Sequence, residues 1–174
     1  MKRIRGLATL LYYLGRLMAF VCLGIAAYAF TIIMLSKTGM KGLPIELSNN
    51  YFTIFLPFSR IPFLLGDNTR VYLFTSISIV TLYGAFLWLL ADVFKAFMQN
   101  KIFILKNVKR LTRFYLFNFG VPVAYIICLS LFGVETRDAL IIAFLHLMLG
   151  VFIYFMSIIF QQGLVLQEEQ DLTL

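Results

Sequence analysis

Four apolar runs, each close to the length that crosses a lipid bilayer, leave this 174-residue chain few folds to choose from. They cover about residues 14–36, 71–90, 114–133 and 139–160. A hydrocarbon core about 30 Å thick takes about 20 helical residues to cross. Inside it every backbone polar group must be satisfied within the segment, which a helix does. The runs therefore predict an all-α integral membrane protein, a four-helix bundle forming a single membrane domain. Composition points the same way, with 61% hydrophobic and 13% charged residues and a mean hydropathy of +0.92. Soluble domains average about 45–50% apolar and about 25% charged. A soluble core of this size could not hide so many apolar side chains.

Charge sets the expected orientation. Lys95 to Arg113, between the second and third runs, holds six of the fifteen Lys and Arg residues and no acid. Basic connectors stay on the cytoplasmic side. With four spans, that side would carry ten basic residues and the other five, so both termini are expected in the cytoplasm. The formal charge of +7 does not indicate direct nucleic-acid binding, because the charges bracket apolar runs and form no soluble basic face.

Taken in order, Met1 to Arg5 is a short basic start, and the first run continues from about Leu7 to Leu35 with only Arg16 interrupting it. Ala27, Tyr28 and Ala29 mimic a signal-peptide cleavage site, but Phe30 to Leu35 extend the run past it. Signal h-regions span only about 7–15 residues, so an uncleaved span is expected, with Arg16 snorkelling at its cytoplasmic end. The outer loop, residues 37–70, contains Pro44, Pro57 and Pro62. Its apolar piece Tyr51 to Leu65 is too short and broken to span. It reads as a short strand or hairpin on the bundle mouth, or as an interfacial segment. Asp92 and Lys95, three apart, can pair on one helix face at the membrane boundary.

Within the connector, Lys106, Lys109, Arg110 and Arg113 recur at helical spacing, with Ile104, Val108, Leu111 and Tyr115 on another face. That is a basic amphipathic helix suited to an anionic leaflet or to a docked protein. Pro122, near Gly120, predicts a kink or a local break in hydrogen bonding in the third span. Val134 to Asp138 reads as a tight outer turn that makes spans three and four antiparallel neighbours. The only histidine, His146, is expected to bond to a neighbouring helix. The tail, residues 164–174, carries Glu168, Glu169 and Asp171 without a base, which suggests contact with the connector.

Catalytic signatures do not emerge. The sequence contains no glycine-rich phosphate loop, no paired intramembrane carboxylates and no HExxH helix. Cys22 and Cys128 both fall in apolar runs and have no metal-ligand spacing. The expectation is a non-enzymatic protein without a cofactor. No internal repeat is evident, and the unequal loops argue against an inverted-repeat transporter.

Two patches carry a family resemblance. Phe103, Ile104, Asn107, Val108 and Leu111 are similar to a Phe-Thr-x-x-Asn-Val-x-x-Leu pattern before the third span. Leu166 to Leu174 is similar to a closing Glu-Asn-Asp-Leu-Thr-Val signature. Residues 92–174 thereby resemble the four-span bacterial membrane proteins of domain-of-unknown-function family 2975. Ile104 replaces a Thr that could cap the connector helix, leaving Asn100 as the candidate cap, and Gln170 replaces the usual Asn. The family has no established activity. Its members are often encoded beside small helix-turn-helix regulators, and the resemblance implies such a regulator as a partner.

The combined expectation is a membrane sensor or anchor that docks this regulator through a cytoplasmic surface. Asn107, Lys109, Arg110 and Arg113 of the connector and Glu168, Glu169, Asp171 and Thr173 of the tail would form that surface. Membrane lipid is a partner by necessity, and homo-oligomerisation is compatible with this layout. The alternative is a small transporter or channel component with Arg16, Asp92 and His146 along a polar path.

Overall fold

The structure is a computed structural model that describes residues 2–40, 42–48, 50–57 and 59–172, with backbone only at residues 2, 171 and 172. Seven elements follow in order: α1 (Lys2–Lys37), β1 (Ile45–Leu47), β2 (Tyr51–Phe55), β3 (Pro62–Asp67), α2 (Arg70–Phe97), α3 (Leu105–Leu131) and α4 (Arg137–Leu172). Each of the four helices is long and apolar enough to cross a membrane. The architecture is that of an all-α multi-pass membrane protein with a minor sheet. At 1.5 Å per residue, the 36 residues of α1 and of α4 give rods of about 54 Å. Both exceed the hydrocarbon thickness, so helix continues well past the apolar runs. Outward faces remain apolar as lipid contact requires: Phe144, Phe152, Phe155 and Ile159 of α4 are all more than half exposed.

Local chemistry sets the helix ends. Thr69 caps α2, its Oγ1 accepting the Tyr72 N–H at 3.2 Å and its carbonyl accepting the Leu73 N–H. α3 starts at Ile104 with no side-chain cap. The expected cap, Asn100, is used elsewhere: its Oδ1 accepts from Arg5 Nη1 at 2.6 Å. α3 then runs without interruption through Pro122 and ends in a glycine turn. Gly133 takes a φ of +67°, and the Val134 N–H reaches back to the Leu129 carbonyl at 3.0 Å. This is the six-to-one bond of a Schellman stop, for which glycine is suited by its lack of a Cβ.

The chain divides into two compact units, Met1–Leu17 with Phe86–Leu174, and Met18–Ala85. In the first, α2, α3 and α4 pack around one core. Val93 and Ala96 come from α2, Val108, Leu111 and Phe114 from α3, and Ile153 and Phe160 from α4. Along α3 the fully buried positions Asn107, Leu111, Phe114 and Asn118 alternate steps of four and three, the seam of left-handed helix packing. The N-terminal part of α1 meets α2 at Gly15, where a Cβ would lie 3.2 Å from Ala91 Cβ.

In the second unit the expected strand or hairpin is a three-stranded antiparallel sheet in the order β1-β2-β3. Central strand β2 buries Phe52 and Ile54 against Ala29, Ile32 and Ile33 of α1, with Leu73 and Ile77 of α2 packed alongside. Alternation puts Tyr51 on the opposite, exposed face. Tyr72 covers the β3 backbone at Gly66, where any Cβ would overlap its ring.

Candidate functional site

The turn between α2 and α3 is short, and the amphipathic helix expected in the connector is the first part of α3. Helix claims both flanks of Lys95–Arg113, and only residues 98–104 remain outside α2 and α3. Asn107 closes this turn. Its Nδ2 donates to the Ile102 carbonyl at 2.8 Å and stands 3.2 Å from Gln99 Oε1 and 3.4 Å from the Ala96 carbonyl. The last of these is one of the carbonyls that a helix C-terminus leaves without an intrahelical donor. Asn107 Oδ1 accepts from Arg110 Nη1 at 2.7 Å.

Asn107 is fully buried and therefore cannot present its amide to a partner, in contrast to the surface role expected for it. Arg110 is half-buried and turned toward it, whereas Lys106, Lys109 and Arg113 are exposed. Phe103, from the same turn, packs edge-on against Phe160, with ring centroids 5.4 Å apart. It also lies over Gly163, where a Cβ would sit 2.6 Å from the ring. The helical tail of α4 is thus packed on the connector through an aromatic ring and a glycine. Glu168 and Glu169 are exposed on that tail. Thr173 and the Asp171 side chain, also expected on the surface, lie outside the described residues.

A second polar cluster lies deeper, on α1 and α2. Arg16 Nη2 donates to Asp92 Oδ1 at 2.6 Å, the two side chains being 16% and 24% exposed. Asp92 therefore pairs across helices and not with Lys95 on its own helix. The Arg16 guanidinium stacks on Trp88, its Cζ 3.7 Å from the ring centroid, and stands 5.5 Å from that of Tyr12. Lys95 Nζ lies 5.3 Å from the same Tyr12 ring. Spacing explains the meeting: Arg5, Tyr12 and Arg16 share one face of α1, as Trp88, Asp92 and Lys95 do on α2. Arg16 Nη1 is buried and has no hydrogen-bond acceptor among the described residues.

The third polar contact joins α3 to α4. Asn118 Nδ2 donates to the Phe114 carbonyl at 2.8 Å, which turns its Oδ1 toward His146 Nδ1 at 2.7 Å. An amide oxygen can only accept, so His146 carries its hydrogen on Nδ1. Phe86 packs edge-on against this imidazole at 5.1 Å and against Phe114 at 5.4 Å. The interhelical bond expected of His146 is present. Pro122, four residues past Asn118, removes the N–H that would bond the Asn118 carbonyl. Close approach of the helices is marked by Gly150, where a Cβ would lie 2.7 Å from Phe119.

Sequence reasoning singled out Arg16, Asp92 and His146, and Phe103 only as part of the family resemblance, but not Tyr12, Trp88, Asn118 or Gly163. A signal for Asn118 was available, since it continues the seam of Asn107, Leu111 and Phe114 into an apolar span. Among the described residues, no group of three His, Cys, Asp or Glu side chains could hold a metal ion.

Comparison with known families finds a match: the model of the family described as protein of unknown function DUF2975 covers residues 44–174. The match takes in the sheet and α2 as well as the two patches that carried the resemblance. No curated protein and no solved structure matches the chain.

Proposed function

The chain belongs to the DUF2975 family, and from that membership and the packing of α4 we infer that it is a non-enzymatic membrane anchor or sensor with a cytoplasmic docking platform. It resides in the bacterial cytoplasmic membrane with both termini inside. Exposed Lys106, Lys109 and Arg113 of α3 and exposed Glu168 and Glu169 of α4 present opposite charges to a soluble partner. A small helix-turn-helix regulator is the partner that the family resemblance suggests.

One observation carries this reading: α4 is a single helix to Leu172, and Gly163 seats the start of its tail on Phe103. Residues 161–172 add about 18 Å of helix beyond the apolar run. A tail tied in this way moves with its span, so a change of packing in the membrane changes the surface offered inside. The transporter alternative has less support. Arg16 and Asp92 are engaged with each other beneath Trp88, and His146 is engaged with Asn118 beneath Phe86.

The test is co-purification of the tagged full chain with the adjacent regulator, compared with a chain lacking residues 167–174 and with the Lys109→Glu/Arg113→Glu variant. Loss of the regulator in both variants is expected, and equal recovery from all three refutes the platform. Orientation is checked separately, because Lys106 and Lys109 must resist an impermeant amine reagent applied to intact cells.

A further inference from the structure

We propose that the seam between α1 and α2 at Arg16, Lys95 and Arg5 is a binding site for the phosphate headgroup of an anionic glycerophospholipid. The charges in the seam do not balance. Among the described residues, three cations, Arg5, Arg16 and Lys95, share it with one carboxylate, Asp92, which is already committed to Arg16 Nη2. Arg16 has a further nitrogen, Nη1, that is buried and has no acceptor among the described residues. A buried charged donor without an acceptor is costly, so this guanidinium has capacity for one more anionic oxygen.

Lys95 brings a second cation to the same aromatic patch, its Nζ 5.3 Å from the Tyr12 centroid against 5.5 Å for Arg16 Cζ. Arg5 lies eleven residues from Arg16 on the same face of α1 and is tethered by Asn100. The seam thus leads from the basic end of α1 toward the apolar layer. It is lined by Tyr12 and Trp88, residue types that favour the membrane–water boundary.

A phosphodiester fits this chemistry: it has two unesterified oxygens, one for the ammonium and one for the guanidinium, while its acyl chains lie along the exposed apolar faces of the helices. Lys95, half-exposed, makes the first contact. Arg16 Nη1 is screened, so it joins when the guanidinium turns across the Trp88 face with its bond to Asp92 retained. The proposal does not depend on the docking platform, since it concerns α1 and α2 and requires no soluble partner.

Trp88 is the chain's only tryptophan, which makes its emission a reporter of this seam. The full chain is placed in phosphatidylcholine nanodiscs, and phosphatidylglycerol is added in increasing proportion. A saturable change in Trp88 emission is expected, half-complete at a low fraction of the anionic lipid. Lys95→Gln leaves the Arg16–Asp92 pair in place and should raise the required fraction about fivefold, the loss of one surface cation. Lys95→Arg should restore the wild-type response, and Arg16→Lys, which keeps a cation for Asp92 but loses the second nitrogen, should weaken it. A linear response without saturation overturns the site, as does an unchanged midpoint in Lys95→Gln. Inorganic phosphate added to chains in pure phosphatidylcholine should leave the emission unchanged; a saturable response there assigns the seam to a free anion and overturns the lipid claim.

Discussion

Removing Asp92 and Arg16 singly and together measures what their bond contributes to helix packing. The 2.6 Å contact puts the charge centres about 4 Å apart, where an effective dielectric of about 20 gives an attraction of about 4 kcal/mol. Desolvation offsets most of that, so the net value of the intact pair is small. Loss of one partner is a different matter, because the other charge remains in place with its solvation already lost. Breaking a fully buried pair costs about 3–5 kcal/mol. These side chains keep 16% and 24% exposure, and the long Arg stem can reach toward the headgroups, so Asp92→Leu and Arg16→Leu should each cost about 2–3 kcal/mol. The double variant, with no charge left to strand, should cost about 1 kcal/mol. The coupling is then about 3–5 kcal/mol. Unfolding in mixed micelles titrated with sodium dodecyl sulfate, followed by far-ultraviolet circular dichroism, supplies all four values. Additivity of the single variants within about 0.5 kcal/mol would refute the claim that the bond matters to packing.

Asn107→Leu strips the turn of the amide that closes it and should cost about 2–3 kcal/mol, leaving the Ile102 carbonyl and Arg110 without their partner. Hydrogen exchange should then accelerate at residues 98–104 before it does elsewhere. Asn118→Leu removes the acceptor that Asn118 Oδ1 offers His146 Nδ1–H and should cost about 1–2 kcal/mol, whereas Asn118→Leu with His146→Phe should recover most of that in the same titration. Gly163→Leu drives a side chain into Phe103 and should cost about 1–3 kcal/mol, with partner recovery falling in parallel. If Gly163→Leu left regulator capture intact, the seating of the tail on Phe103 would have no bearing on docking.

The membrane fold was legible because the apolar runs and their charged brackets are one-dimensional signals. Helix ends were less so. Composition marks where lipid stops, but α4 continues to Leu172 because nothing between Gln161 and Leu172 breaks a helix: Gly163 is tolerated inside it, packed under Phe103. The amphipathic helix expected within Lys95 to Arg113 is the start of α3, but the short turn before it, closed by hydrogen bonds from Asn107, has no such one-dimensional signal. Arg16, Asp92 and His146 stood out as rare polar residues in apolar surroundings. Their partners did not. The choice of Arg16 over Lys95 for Asp92 depends on the close approach at Gly15 and Ala91, a property of two helices far apart in sequence. Asn107 was assigned to a surface because it lies in a polar, motif-bearing stretch, and only packing reveals that it is interior.

The small sheet has its strands adjacent in space in the order in which they leave the ribosome, with pairings that join Ile45 to Ile54 and Phe52 to Gly66. Its buried face is completed by Ala29 to Ile33 before it and by Leu73 and Ile77 soon after. Synthesis up to the early turns of the second rod therefore delivers every residue this assembly requires. It can close during translation without waiting for the later half of the molecule, and a nascent chain halted there would already be protease-resistant between its first two crossings.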